Sequence, residues 1–273
     1  MKNLKYVVAL VAVFGCTAAC AQSGKVVVQR LGHAAMKITT PGGKVIVIDP
    51  FLINNPMTPP EYKDLAKLGK VDIILVTHGH ADHAADAPAL AKLNKVPVYG
   101  PADMMQAWMT LGVLPPEQSF APRFNKGGTV TPPGTNIKIT QTHAEHSSAI
   151  IWRNPATGKD ETHPGGEPVG FIIEMENGFK IYMMGDTGLF GDMKLISEYY
   201  KPDLVLIPIG GHFVMDPKDA AYATREWLKP KYAIPIHYAT IPQLRGTPEE
   251  YIAALGTTST KVFTVKPGES LEF

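Results

Sequence analysis

Thr77-His78-Gly79-His80-Ala81-Asp82-His83 follows directly on the apolar run Val71-Asp72-Ile73-Ile74-Leu75-Val76. Three imidazoles and a carboxylate thus fall within six residues of a 273-residue chain that has nine histidines in all. Imidazole combined with carboxylate suits zinc and its first-row neighbours, whereas calcium and magnesium take mostly oxygen. The apolar run predicts a buried strand over 71–76, whose end would hold the ligands on a rigid edge, as a preorganised metal site requires. The bland alternative is a solvated His-rich turn. A four-donor pattern is far more specific than a single His, and it argues for the metal.

Moving outward, other predicted strands also stop at polar groups that can bind metal. The strand over 136–142 runs into His143-Ala144-Glu145-His146-Ser147-Ser148, and Phe179–Met184 ends in Gly185-Asp186-Thr187. Leu204–Ile209 ends in Gly210-Gly211-His212, and Tyr232–Ile236 ends in His237-Tyr238. A lone His after a strand is commonly a hydrogen-bonded structural residue. Several such stops beside the His cluster change that balance, because loops at one sheet edge can converge on one pocket.

The remaining pattern is mixed. Strands are expected over 26–30, 34–40, 44–48 and 96–99, and Val169–Met175 with Phe179–Met184 reads as a hairpin around Glu176-Asn177-Gly178. Helices are expected over 61–68, 84–93 (with Pro88 tolerated in the first turn), 103–111, 189–199, 217–228 and 247–255. Residues 115–133 are Pro/Gly-rich and poorly patterned, and 153–168 reads as a long polar loop, a rim or lid. Hairpins early and late with strand–helix alternation between them describe an α/β sandwich rather than one doubly wound sheet.

Thr-His-x-His-x-Asp-His, a later His, Gly-Asp-Thr and a final His resemble the metallo-β-lactamase-fold hydrolases. Leu31-Gly32-His33, Ile48-Asp49-Pro50-Phe51, Glu145-His146-Ser147-Ser148, Asp192-Met193-Lys194, Pro208-Ile209-Gly210 and Pro235-Ile236-His237-Tyr238 are similar to the metal-dependent hydrolase group near ascorbate-6-phosphate lactonase. The resemblance runs from about Val26 to the C-terminus and is specific for fold and metal rather than substrate. It implies an αββα sandwich, two mixed β-sheets flanked by helices, with a two-metal site at the sheet edge. His78, His80 and His146 would hold the first ion; Asp82, His83 and His237 the second; Asp186 would bridge them together with a water or hydroxide. Zinc is the first expectation for both divalent ions, with manganese or iron as alternatives.

Individual residues agree with that pattern. Gly79 and Ala81 leave the loop room to fold back, Gly185 lets the backbone approach closely at Asp186, and a carboxylate bridge offsets charge that neutral imidazoles cannot. His143 competes with His146, and the family pattern favours the His directly before Ser147-Ser148. His33 and His212 fall outside the ligand pattern; each follows a Gly at a strand end and either lines the pocket or makes a structural bond. His163 reads as solvated, Asp49 as a group that orients ligands or forms a turn rather than a ligand, and Asp86 equally as ordinary surface charge at the start of its helix.

The expected reaction is hydrolysis of an ester, lactone, amide or phosphodiester bond of a small-molecule substrate by a metal-bridging hydroxide. Asp82, moving a proton to the leaving group, and His212, touching the substrate, are the expected catalytic residues. Trp108, Trp152 and the methionines at 104, 105 and 109 offer an apolar wall for an acyl chain, or simply core. A mononuclear iron dioxygenase on the same scaffold would show iron and oxygen consumption. A non-catalytic periplasmic metal-binding protein would lack turnover, although all seven ligands are present.

The ends and totals set the context. Lys2 and Lys5, the apolar stretch Tyr6–Gly15 and Ala19-Cys20-Ala21 read as a secretory signal peptide over 1–21, too short to span a bilayer. Export to the periplasm or medium is expected, with residues 22–273 as the hydrolase domain. A lipid anchor on Cys16 or Cys20 is the alternative, although neither sits in a good lipidation box. Both cysteines lie in this leader, so the mature chain would have no disulfide, thiolate nucleophile or Cys ligand. Its 24 basic and 25 acidic side chains form no basic stripe, which argues against nucleic acid as a partner.

Overall fold

The computed structural model describes residues 24–119 and 123–273. The predicted signal peptide and the two cysteines lie outside the described residues. Five strands near the start, β1 (Val27–Gly32), β2 (Ala35–Thr39), β3 (Val45–Ile48), β4 (Ile73–Leu75) and β5 (Val98–Tyr99), pair with a last one, β15 (Ser270–Glu272). Their order is β15-β1-β2-β3-β4-β5. The second sheet contains β6 (Thr129–Val130), β7 (Lys138–His143), β10 (Val169–Glu174), β11 (Lys180–Met183), β12 (Leu204–Pro208), β13 (Tyr232–Ile236) and β14 (Lys261–Val262), in the order β14-β13-β12-β11-β10-β7-β6. Both sheets are mixed: β3, β4 and β5 run parallel, as do β11 through β14, while the other pairs are antiparallel.

Period-two alternation builds the layers. On β3 and β4, Ile46, Ile48, Ile73 and Leu75 face Ile181, Met183, Leu204 and Leu206 of the other sheet across the central core. The alternate residues Val47, Ile74 and Val76 pack outward against Ala87 and Leu90 of α2 (Ala87–Asn94) and Met104, Met105 and Trp108 of α3 (Ala102–Thr110). On the other side Tyr182, Val205 and Ile207 meet Met193 and Ile196 of α5 (Met193–Tyr200), Ala220 of α6 (Pro217–Tyr222) and Tyr251 of α7 (Pro248–Leu255). The result is the expected αββα sandwich. Strands apolar on both faces need cover on both faces, and the helices supply it.

Several boundaries depart from expectation. The helix over 61–68 is two 3-10 turns, Pro60–Tyr62 and Leu65–Leu68, separated where Asp64 accepts the Ala66 amide. The helix over 84–93 divides into α1 (Ala81–Ala84) and α2, because Asp86 between them is buried and accepts the amides of Leu52 and Ile53. Asp86 is therefore not surface charge. The polar stretch over 153–168 is partly a hairpin, β8 (Ala149–Arg153) with β9 (Asp160–Pro164). Its turn is closed by Asn154 Oδ1 accepting the Ala156 amide, a local motif that composition alone does not reveal. The poorly patterned stretch over 115–133 contains α4 (Pro116–Ser119) and β6, and the last turns of the helix over 217–228 are π-helical from Ala223 to Leu228.

Candidate metal centre

Strand ends deliver the site. The 77–83 loop leaves β4, the 143–148 loop leaves β7, Asp186 follows β11 and His237 follows β13. Gly185 has φ of 64°, and a Cβ there would stand 2.9 Å from the Val169 carbonyl oxygen, so the chain can turn Asp186 inward only without a side chain at that position.

Asp49, fully buried just after β3, sets the orientation of the first ligands. Its carboxylate accepts the Thr77 amide and hydroxyl, each at 2.8 Å, and the His83 Nδ1–H at 2.9 Å. With its one proton committed to Asp49, the Thr77 hydroxyl oxygen accepts from His78 Nδ1 at 3.0 Å. Both rings are thereby fixed with Nε2 toward the centre, where His78 Nε2 meets His80 Nδ1 at 3.0 Å, the usual arrangement behind metal-ligating histidines.

At that centre lies Asp186, 3 % exposed. One carboxylate oxygen, Oδ2, is 2.9 Å from His237 Nε2, 3.6 Å from His146 Nε2 and 4.0 Å from His78 Nε2; Oδ1 is 3.2 Å from His83 Nε2. Donor atoms within 4.8 Å of one another form three overlapping groups: His78, His80 and His146; His78, His83 and Asp186; and His33, Asp82, His83 and His237. Burial pushes His78, His80 and His146 below the ordinary imidazole range, and His33 down to about 4. Burial opposes the charged form of His83 too, but Asp186 and Asp49 on either side outweigh it and raise this group well above that range. Asp82 and Asp186 are both held below the usual carboxylate range; burial works against this, and the surrounding imidazoles prevail.

The donor set fits metal ions. Among the described residues, no hydrogen-bond partner is found for the buried His83 Nε2, Asp186 Oδ1 or either ring nitrogen of His237, and buried polar atoms are rarely left so. A divalent cation among these atoms would satisfy them together, displacing the proton that the two carboxylates hold on His83. A metal held there lowers the pKa of a bound water to about 7 and polarises a substrate oxygen.

The structure brings His78, His80, Asp82, His83, His146, Asp186 and His237 into these groups. It does not bring in His143, which turns away to pack edge-on against Phe190 at 4.9 Å. His212 is also outside them: it is exposed, stacks edge-on against Phe213 and lines a separate cavity with Asp216, Gln243 and Arg245. Met104, Met105 and Trp108 are core, and Trp108 with the half-buried Trp152 also lines a groove of about 310 Å³ beside Gly79 and Ala81. His163 sits on β9 with its ring 5.8 Å from Trp152. The residue that sequence reasoning left outside the ligand set is His33. Gly before His at a strand end was its signal, and the backbone there is left-handed (φ 53°).

Residues 44–238 match the Beta-lactamase superfamily domain. A UPF0173 metal-dependent hydrolase of Polaromonas sp. is 65 % identical over 259 residues, covering 94 % of this chain and 93 % of the relative. One from Cupriavidus necator is 61 % identical over 253 residues, covering 92 % and 87 %. Among solved structures, Igni18, a metallo hydrolase from the hyperthermophilic archaeon Ignicoccus hospitalis, superposes with a TM-score of 0.75 at 32 % identity, covering 91 % of this chain and 98 % of that one. An isothiocyanate hydrolase from Delia radicum gut bacteria shares the fold at 18 % identity, with a TM-score of 0.63, covering 90 % of this chain and 98 % of that one. On these matches the chain belongs to the β-lactamase superfamily, as a member of its UPF0173 metal-dependent hydrolase family.

Proposed function

We propose that the chain is a two-metal hydrolase of carboxylic esters and lactones. His78, His80 and His146 would hold one ion, Asp82, His83 and His237 the other, and Asp186 would lie between them. The observation that carries this reading is the position of Asp186. Its two buried oxygens face imidazoles contributed by both sheets, Oδ1 toward His83 and Oδ2 toward His237. Zinc is the first expectation for the ions, with manganese or iron as alternatives.

The protein's own groups have distinct tasks in this scheme. Asp49 and Thr77 hold the rings of His83 and His78 so that little reorganisation accompanies reaction. Asp82, whose side chain is 41 % exposed, is placed at the solvent edge where a carboxylate can pass a proton to a leaving group. The groove of Trp108, Ile150 and Trp152 beside Gly79 favours an apolar substituent on the substrate over a sugar phosphate. The lactonase-like sequence resemblance points to the same bond class. His212, exposed at a separate cavity with Arg245, would touch only a substrate long enough to extend beyond the donor groups.

The test joins metal analysis of the purified protein to turnover of aryl esters, lactones, amides and phosphodiesters before and after chelation. About two ions per chain, with ester or lactone turnover lost on chelation and restored by Zn2+ or Mn2+, is the expected result. Turnover that survives complete removal of metal would sink the proposal. Export is proposed from the leader alone; mass spectrometry of the secreted chain should find an N-terminus at Gln22, and a diacylglycerol on Cys16 or Cys20 would replace that reading with an anchored one.

A further inference from the structure

The donor group of His33, Asp82, His83 and His237 holds one imidazole more than the family pattern gives the second ion. His33 is 1 % exposed and stands at the turn between β1 and β2, with φ of 53° directly after Gly32 at φ of 125°. A left-handed non-glycine residue is strained and persists only where its surroundings enforce it. Here the His237 amide donates to the His33 carbonyl at 3.2 Å, and His237 is itself left-handed at φ of 56°. The two turns are tied together, and their rings stand 3.9 Å apart.

Hydrogen-bond direction then fixes the His33 ring. The Thr240 oxygen stands 2.8 Å from His33 Nδ1 and 3.4 Å from the Tyr238 carbonyl; in the tautomer with the proton on Nδ1 it accepts from the ring and donates to that carbonyl. Nε2 is left with a bare lone pair, and it faces Asp82 Oδ2 at 3.2 Å. Two acceptors at that separation need a cation between them. His237 Nε2, without a hydrogen-bond partner, is 3.9 Å from the same Asp82 oxygen, and the donor atoms of all four residues lie within 4.8 Å of one another. One proton cannot serve four converging donors; one divalent ion can.

We propose that His33 is a direct ligand of the second ion, beside Asp82, His83 and His237, an inference that rests on the two-metal reading above. With Asp186 this makes a nitrogen- and oxygen-rich site of five protein donors. Zinc ordinarily takes four, so the second position suits a six-coordinate ion such as manganese or iron, while the three-histidine first position suits zinc.

Cobalt(II) titration of the metal-free protein and of His33→Gln, followed by calorimetry and visible absorption, tests the assignment. Wild type should bind two Co2+ per chain. The variant should keep the first affinity, lose roughly ten-fold or more at the second, and absorb more strongly there as the coordination number falls. Two Co2+ held by the variant with wild-type affinity and spectrum overturn the His33 assignment and leave the two-metal reading standing. A wild type that binds fewer than two overturns both. Should circular dichroism show that His33→Gln does not fold, the wild type decides. In 15N-histidine-labelled, Co2+-loaded protein, paramagnetic displacement of the His33 ring supports direct ligation, and an undisplaced His33 ring overturns it.

Discussion

Asp49 touches no proposed ion, yet it is the residue on which the others are hung. Its two oxygens receive the backbone and hydroxyl of Thr77 and the ring of His83, and through Thr77 they also fix His78. Asp49→Asn would set an amide N–H against a neighbouring donor in a fully buried position. Metal affinity should fall about 10–100-fold, and stability by about 3 kcal/mol as a buried charged partner is removed. Competition with a chromophoric chelator and urea unfolding measure the two effects. His146 and His143 provide a second contrast at this scale. His146→Ala should lose close to one ion per chain, whereas His143→Ala, whose ring leans on Phe190, should retain both. Elemental analysis of the two variants reads the difference directly, and a loss on His143→Ala would exchange their roles.

At the scale of elements, the strands were far more legible in the sequence than the irregular segments between them. Val71–Val76 and Leu204–Ile209 are apolar on both faces, and that pattern has one good home, a sheet with cover on each side. The His-x-His-x-Asp-His loop declared itself because its donors are adjacent in sequence. His33 and His212 could not be told apart by sequence: each follows a glycine at a strand end, and only packing shows that one turn meets His237 while the other opens to solvent. The β8–β9 hairpin was hidden because β9 alternates only between exposed and half-buried, and on β8 Ile150 alone is buried. Close backbone contact was equally invisible. A Cβ on Gly210 would stand 2.2 Å from the His237 carbonyl oxygen. Gly210→Ala should therefore push the end of β13 outward, cost about 1–3 kcal/mol as overpacking, and weaken the ion shared by Asp82, His83 and His237 while sparing the His78, His80, His146 group. Two-step Co2+ titration separates those outcomes.

For the molecule as a whole, the buried imidazoles make the metal-free protein acid-sensitive. His33 titrates in the folded chain at about 4, and His78, His80 and His146 are also held below the ordinary value by burial. Between about pH 6.5, where the unfolded chain takes up these protons, and pH 4, the unfolded state binds more protons than the folded one. Stability is full above that window and declines as pH falls through it, by about 1.4 kcal/mol per pH unit for each excess proton. His83, raised by its two carboxylates, acts in the opposite sense at higher pH: its contribution is present below about 6.5 and fades as the solution becomes alkaline enough to remove its proton. Urea midpoints of chelated protein at pH 7 and pH 5 should show the loss, and an unchanged midpoint would mean the imidazoles are already charged.

The donors around Asp186 come from opposite sides of the sandwich: His33 and the 77–83 loop from the first sheet, and His146, Asp186 and His237 from the second. Each of the three donor groups draws on both sheets. Cofactor acquisition must therefore wait until the hydrophobic interior has closed, and once acquired it rivets the two slabs at their rim. Loss of the ions would loosen that seam long before it melted either slab, so the rate of metal uptake during refolding becomes a clock for the final docking event.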